Sequence, residues 1–318
     1  MANREVAPND TTLKYYFYFI QERMNIFWRK YSHQGYLTDD PILREYKFTN
    51  VYRASDRVSQ YLIRNVIYKD LNSYSPEDVL LRILIFKVFN RIETWEYLSQ
   101  QVDIRVHSFN VESLTNLLSK RQKDYSIFSN AYMMAGSHAR YADISTKHQV
   151  WLKVIEDEFI QNLGFEKILN AKSMSDVYNQ LRCYPLIGDF LAYQYTIDFN
   201  YSTYINFDED SFVKAGVGAV RGIKKCFFSY GRRFEDAIYF IHDHFEELQE
   251  KYGYTGFHPL PGRNPKLIDL QNCFCETDKY LRAKLPELKV GNVRIKQRYK
   301  PTNDMIDFYF PDKWNVTL

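Results

Sequence analysis

Residues 75–90 read SPEDVLLRILIFKVFN. The first four residues start a helix. Ser75 offers an N-cap oxygen, Pro76 is tolerated only in a first turn, and Asp78 places a carboxylate three residues past the cap. The run after them is apolar nearly all round, broken only by Arg82 and Lys87, and so predicts a helix buried on every side. Such a helix needs other helices around it, and the chain supplies them. Residues 11–32 carry a long aromatic-aliphatic stripe that stops at the Gly35 turn, and Ser55 and Asp56 can cap a helix to about Tyr68. Glu93 or Thr94 can begin another, Asn110 another, and Thr146 one that runs through Gln161. Residues 232–252 form an amphipathic stretch closed by Gly253, and Lys266 to about Leu285 is the last long helix. Strand alternation is scarce, with residues 288–310 the best candidate for a hairpin or extended tail. The expected fold is all-α and two-lobed. The stretch GSHARYADIST (136–146) suggests a boundary, with lobes at 1–140 and 141–285, a tail at 286–318, and a last helix able to pack back on the first lobe.

Composition narrows the class. The chain has 318 residues, 45% hydrophobic and 25% charged, enough for a substantial core. Aromatic residues reach 17%, which excludes disorder. Lys and Arg number 42 against 39 Asp and Glu, a net charge of +3, so a nucleic-acid footprint has to be local. Four cysteines fit a reduced cytoplasmic setting rather than a disulfide framework. The N-terminal MANREVAPNDTT is too polar for a secretory leader, and the apolar run at 79–89 is too short and too charged to cross a membrane. A monomer is expected.

Residues 181–225, LRCYPLIGDFLAYQYTIDFNYSTYINFDEDSFVKAGVGAVRGIKK, hold the densest chemistry. A helix ends near Cys183, a Pro185…Gly188 turn follows, then an apolar helix, a carboxylate-bearing loop and a further helix. This resembles the helix-hairpin-helix region of DNA glycosylases, whose hairpin reads roughly L-x-x-[LI]-P-G-[VI]-G. Pro185 and Gly188 match, while Leu186 replaces the first glycine. The resemblance implies that the turn binds a DNA phosphate through backbone amides. It also makes Asp208 the catalytic carboxylate, with Asp210 the alternative if the register slips and Asp198 a distant third. Such a carboxylate would stabilise an oxocarbenium ion at an extruded nucleotide. Phe190 stands where lyase-type members carry lysine, which implies a monofunctional enzyme. Without the family, P-x-x-G is a common turn and D-E-D a common cap.

A second resemblance rests on separated blocks. They are FTNVYRASDR (48–57), FKVFN (86–90) with Glu93-Thr94-Trp95, and DLQN (269–272) with Cys275-Glu276 and KYLR (279–282). Together they are similar to the helical domain beside 5-hydroxymethyldeoxyuridine DNA kinases, a group also described as α-glutamyl/putrescinyl-thymine pyrophosphorylase-like. The resemblance covers about residues 40–285. It implies a glycosylase-like helical fold and work on hypermodified pyrimidines, in phage modification or in defence against it. A kinase phosphate loop, G-x-x-x-x-G-K-[ST], is missing, and Gly218-Ala-Val-Arg-Gly222-Ile-Lys-Lys has the wrong spacing. Kinase activity is therefore not carried over.

The expected pocket residues are Asn50, Tyr52, Arg53, Asp56, Asn90, Glu93, Trp95 and Glu276, with polar groups for a flipped base or its substituent. A loop with a helix cap is the competing reading for 50–57, core packing for Trp95, and a buried ion pair for Glu276. Arg221, Lys224, Lys225 and Arg232, with Pro185 and Gly188, are expected to contact DNA, as is a tail bearing Arg294, Lys296, Arg298 and Lys300. His242 and His244 face different ways and Cys273 and Cys275 are only two thiols, so no metal and no cofactor are expected. The expected activity is excision of a 5-hydroxymethyl-derived pyrimidine from double-stranded phage DNA, as antiviral defence. The alternatives are base hypermodification without excision and non-catalytic reading of modified DNA.

Overall fold

The computed structural model describes residues 5–130, 134–288, 297–300 and 306–318. The fold is all-α, and the chain divides into two compact units. One comprises Met1–Asp56, Glu209–Phe308 and Trp314–Leu318, and the other Arg57–Asp208 and Tyr309–Lys313. The stretch at 136–146 is thus a loop inside the second unit, and the break expected at 285/286 falls inside the first.

The first unit is built on two long helices distant in sequence, Asp10–Tyr31 and Leu267–Lys284. Tyr16 stacks on Phe274 with ring centroids 4.3 Å apart, and its hydroxyl donates to the Leu270 carbonyl at 3.0 Å. The helix Val217–Cys226 meets the last helix at backbone contact. A Cβ at Gly222 would stand 2.1 Å from the Phe274 carbonyl oxygen, and one at Gly218 would stand 2.1 Å from Cys275 Sγ. These glycines, one turn apart, exist to let two helices touch. Beneath them the buried Asp278 gathers Lys225 at 2.9 Å, Arg221 at 3.2 Å and Arg282 at 3.5 Å.

Among the described residues the strands are Val6–Pro8 and Phe227–Tyr230, paired antiparallel with Val6 opposite Tyr230 and Ala7 opposite Ser229. The register shifts at Pro8, which has no N–H to give a ladder. The tail expected to be a hairpin lies partly outside the described residues (289–296 and 301–305), and Arg294 and Lys296 with it. Its described part makes one isolated bridge, Tyr46 to Arg298.

The second unit surrounds the helix Pro76–Phe89. Ser75 Oγ accepts the Asp78 amide at 3.1 Å while Asp78 Oδ2 accepts the Ser75 amide at 3.2 Å, the expected capping box. The helix is buried on all sides and ends at Asn90, in the left-handed region at φ +48°. Its two cations are answered internally. Lys87 pairs with Asp198 of the helix Asp189–Asn200 at 3.5 Å, and the Arg82 guanidinium lies 4.0 Å from the Tyr74 ring centroid and 5.0 Å from that of Trp95. Tyr309 donates its amide to Gln60 Oε1 at 2.7 Å, and the Lys313 ammonium donates to the carbonyls of Asn200, Ser202 and Ile205.

Three helices differ from expectation. Those after Asp56 and Thr146 widen into π turns at Leu62–Tyr68 and Ile155–Gln161. The stretch at 232–252 is two helices, Phe234–Asp243 and Phe245–Tyr252, broken at His244 and closed by Gly253 at φ +78°. Among the described residues no helix is long and apolar enough to cross a membrane.

Candidate functional site

The blocks at 48–57 and 269–282 meet in the first unit. The Arg53 amide donates to Asp269 Oδ1 at 2.9 Å, the Thr49 amide to Glu276 Oε2 at 3.0 Å, and Asn272 Nδ2 to Thr49 Oγ1 at 2.9 Å. Asp269 also accepts the Lys266 amide at 3.0 Å, so one carboxylate caps the last helix and holds the short 3₁₀ turn Arg53–Ser55. Arg23 reaches in from the first helix, its Nε donating to the Thr49 carbonyl at 3.0 Å. Asn50 closes its own loop, donating Nδ2 to the Ser55 carbonyl at 2.9 Å.

Asp56 is the electrostatic centre of this network. Its Oδ1 accepts the Asn50 amide at 2.8 Å. Burial pushes its carboxyl up to about 7, against the downward pull of that amide and of the Arg23 and Arg53 guanidiniums, with Glu276 adding to the push. Burial likewise carries Asp269 to about 6, against the pull of Arg263. Glu276, itself buried, pairs with Lys279 at 2.7 Å. A carboxyl titrating near neutrality beside hydrogen-bond donors can give or take a proton. Asn50 and Asp56 are its half-buried edge, while Arg53 and Glu276 lie deeper.

Tyr52 does not offer a stacking face. It is fully buried, donates its hydroxyl to the Arg263 carbonyl at 2.5 Å and accepts the Leu260 amide at 3.2 Å. Arg263 in turn pairs with Glu209 at 2.8 Å and lies 3.3 Å from the Trp314 ring centroid. Asp210 accepts from the Lys266 ammonium and, at 3.3 Å, from the Leu267 amide, which makes it a cap for the last helix. Asp208 is exposed on a turn in the second unit, and the next helix begins only at Val217, so it does not stand at a helix start as the hairpin register requires.

Asn90, Glu93 and Trp95 lie in the second unit. Asn90 accepts from Lys87 Nζ at 2.9 Å, Glu93 pairs with Arg91 at 3.3 Å on the surface, and Trp95 is core. In the same unit the helices Met174–Arg182 and Asp189–Asn200 are joined by a turn containing Pro185, with Gly188 as the second helix's N-cap. Leu186 takes φ +67°, the conformation a glycine would take without strain. An open groove of about 640 Å³ beside the turn is lined by His138, Arg140, Glu158, Arg182, Pro185 and Gly188.

The basic cluster splits. Lys225 is 4% exposed and committed to Asp278, and Arg221 is drawn to the same carboxylate, so Lys225 cannot reach a phosphate. Lys224 and Arg232 are exposed. Sequence reasoning missed Arg23, and it read Arg263 only as part of the rigid turn 258–263 that could edge the cleft. A cation within an aromatic stripe and a cation in a proline-rich turn carry no local sign of burial.

A family described as "5-hmdU DNA kinase, helical domain" matches residues 10–290. The chain is also 26% identical over 294 residues to the 5-hmdU DNA kinase of Bacillus phage SP10, an alignment covering 87% of this chain and 46% of that protein. The chain therefore spans about half the length of the curated relative it matches. No solved structure matches it. These findings overturn the expectation of excision. The relative is named for a kinase, a transferase rather than a hydrolase of N-glycosyl bonds, and nothing in the matches supports a helix-hairpin-helix glycosylase. Modification without excision, the first alternative, fits them better.

Proposed function

Since the chain belongs to the family of the 5-hmdU DNA kinase helical domain, matched over residues 10–290, we propose that it serves the modification of 5-hydroxymethyl pyrimidines in DNA, with the N-glycosidic bond left whole. One observation carries the reading. Two of the three blocks that bear the family resemblance, 48–57 and 269–282, far apart in sequence, converge on a polar network that includes Asp56. In this reading Asn50 and Arg53 bond the base edge or its substituent, and Asp56, supported by Glu276, accepts the hydrogen of the 5-hydroxymethyl group. Pro185 and Gly188 with the neighbouring groove, and Lys224 and Arg232, follow the phosphate backbone. The chain has no G-x-x-x-x-G-K-[ST] stretch, so no residue here is assigned to a phosphoryl donor.

The test compares 5-hmdU DNA with the same duplex carrying thymine. Fluorescence anisotropy is expected to give about tenfold tighter binding to the modified duplex, a preference that Asn50→Ala removes. Nucleoside mass analysis after incubation checks the bond. Equal affinity for the two duplexes, or release of free base, refutes the reading.

A further inference from the structure

Phe228 is the most exposed large apolar side chain among the described residues, at 77%, and the function proposed above makes no use of it. It lies on the strand Phe227–Tyr230, where successive side chains face opposite ways. Phe227 turns inward and is buried, while Phe228 and Tyr230 share the outward face. Tyr230 stacks on Phe234 with centroids 4.3 Å apart and planes 28° from parallel, and the Lys224 ammonium stands 5.5 Å from the Phe234 ring centroid. Arg233 adjoins this stack with its side chain exposed. Asp236 accepts the amides of Arg232 and Arg233 at 2.8 and 2.9 Å and pairs with the Arg233 guanidinium at 3.6 Å. The result is a short aromatic strip bordered by cations.

We propose that Phe228, with the Tyr230–Phe234 stack and Lys224, stacks on an unpaired base of DNA while its cations follow the adjoining phosphates. This rests on the reading of the chain as acting on DNA. The chemistry matches a polyanion with flat apolar faces, because any base offers a ring and the backbone offers charge. An apolar protein partner fits less well, since lysine is depleted at the centre of protein interfaces.

The test uses the full chain and an unmodified oligothymidylate, titrated by fluorescence anisotropy at several salt concentrations. Phe228→Ala is expected to weaken binding about tenfold with an unchanged salt slope. Phe228→Tyr is expected to retain affinity. Lys224→Ala is expected to flatten the slope of log K against log salt by about 0.7. Failure of the wild-type chain to bind, or equal binding by Phe228→Ala, overturns the proposal. So does micromolar self-association, seen by sedimentation, that Phe228→Ala abolishes, because the face then covers a second copy. The oligomer carries no 5-hydroxymethyl base, so losing the preference for 5-hmdU DNA would leave this result standing, and the converse holds as well.

Discussion

Replacing Asp56 by asparagine removes a buried charge while keeping an oxygen that accepts the Asn50 amide. The carboxyl is raised from 3.8 to about 7 in the fold. A folded-state value above the unfolded one means that the native protein holds a proton the unfolded chain releases. The associated stability is complete below about pH 4 and is lost as pH rises through about 7. About three units at roughly 1.4 kcal/mol each set a ceiling of about 4 kcal/mol. Asp56 is only half-buried by surface area, so solvent screening cuts that ceiling to about 2 kcal/mol. Asparagine cannot ionise and avoids the loss. Urea denaturation between pH 4 and 8.5 should therefore show Asp56→Asn gaining on the wild type as pH rises, reaching an advantage of about 2 kcal/mol at pH 8. Asp269 titrates in both proteins, so its share cancels in the difference. A difference that stays flat across the range refutes the assignment of a proton to Asp56.

Gly222→Ala places a methyl 2.1 Å from the Phe274 carbonyl oxygen, a backbone atom that cannot step aside. Thermal or urea unfolding should show a loss of about 2–3 kcal/mol. Leu186→Gly relieves the left-handed strain at φ +67° and gives back part of that gain as unfolded-chain freedom. It is expected to raise stability by about 0.5 kcal/mol, and a destabilised variant would mean that Leu186 packing outweighs its strain.

Local signals read well from the sequence. Ser75, Pro76 and Asp78 are neighbours, and Gly253 needs only its own backbone, so their structural roles are written in short stretches. The all-round apolar character of 79–89 likewise announced burial. Relations through space were not legible. Lys87 interrupts one apolar helix and Asp198 another, and only the fold makes them a pair. Lys224 and Lys225 are adjacent and look equally fit for DNA, yet the turn of the helix sends one to solvent and the other to Asp278. Asp210 reads as a candidate catalyst until Lys266 and Leu267 claim it. The strands Val6–Pro8 and Phe227–Tyr230 are too short to alternate visibly. The candidate site was half legible. Its residues Asn50, Arg53, Asp56 and Glu276 stood in the resembling blocks, but Arg23 and the neutral-range carboxyl of Asp56 arise only from burial.

The first unit is assembled from separate chain segments, whereas the second draws almost wholly on Arg57–Asp208. This arrangement sets an order of events on the ribosome. The helix Asp10–Tyr31 emerges before the second unit, yet its partner Leu267–Lys284 is made only after Arg57–Asp208, the bulk of that unit. At ordinary synthesis rates the wait is on the order of tens of seconds. During it Leu13, Tyr16, Phe17 and Ile20, all fully buried in the finished protein, have no native cover. The segment Arg57–Asp208 can form most of its long-range contacts first, and the N-terminal helix must be kept from misassociation until the last helix arrives.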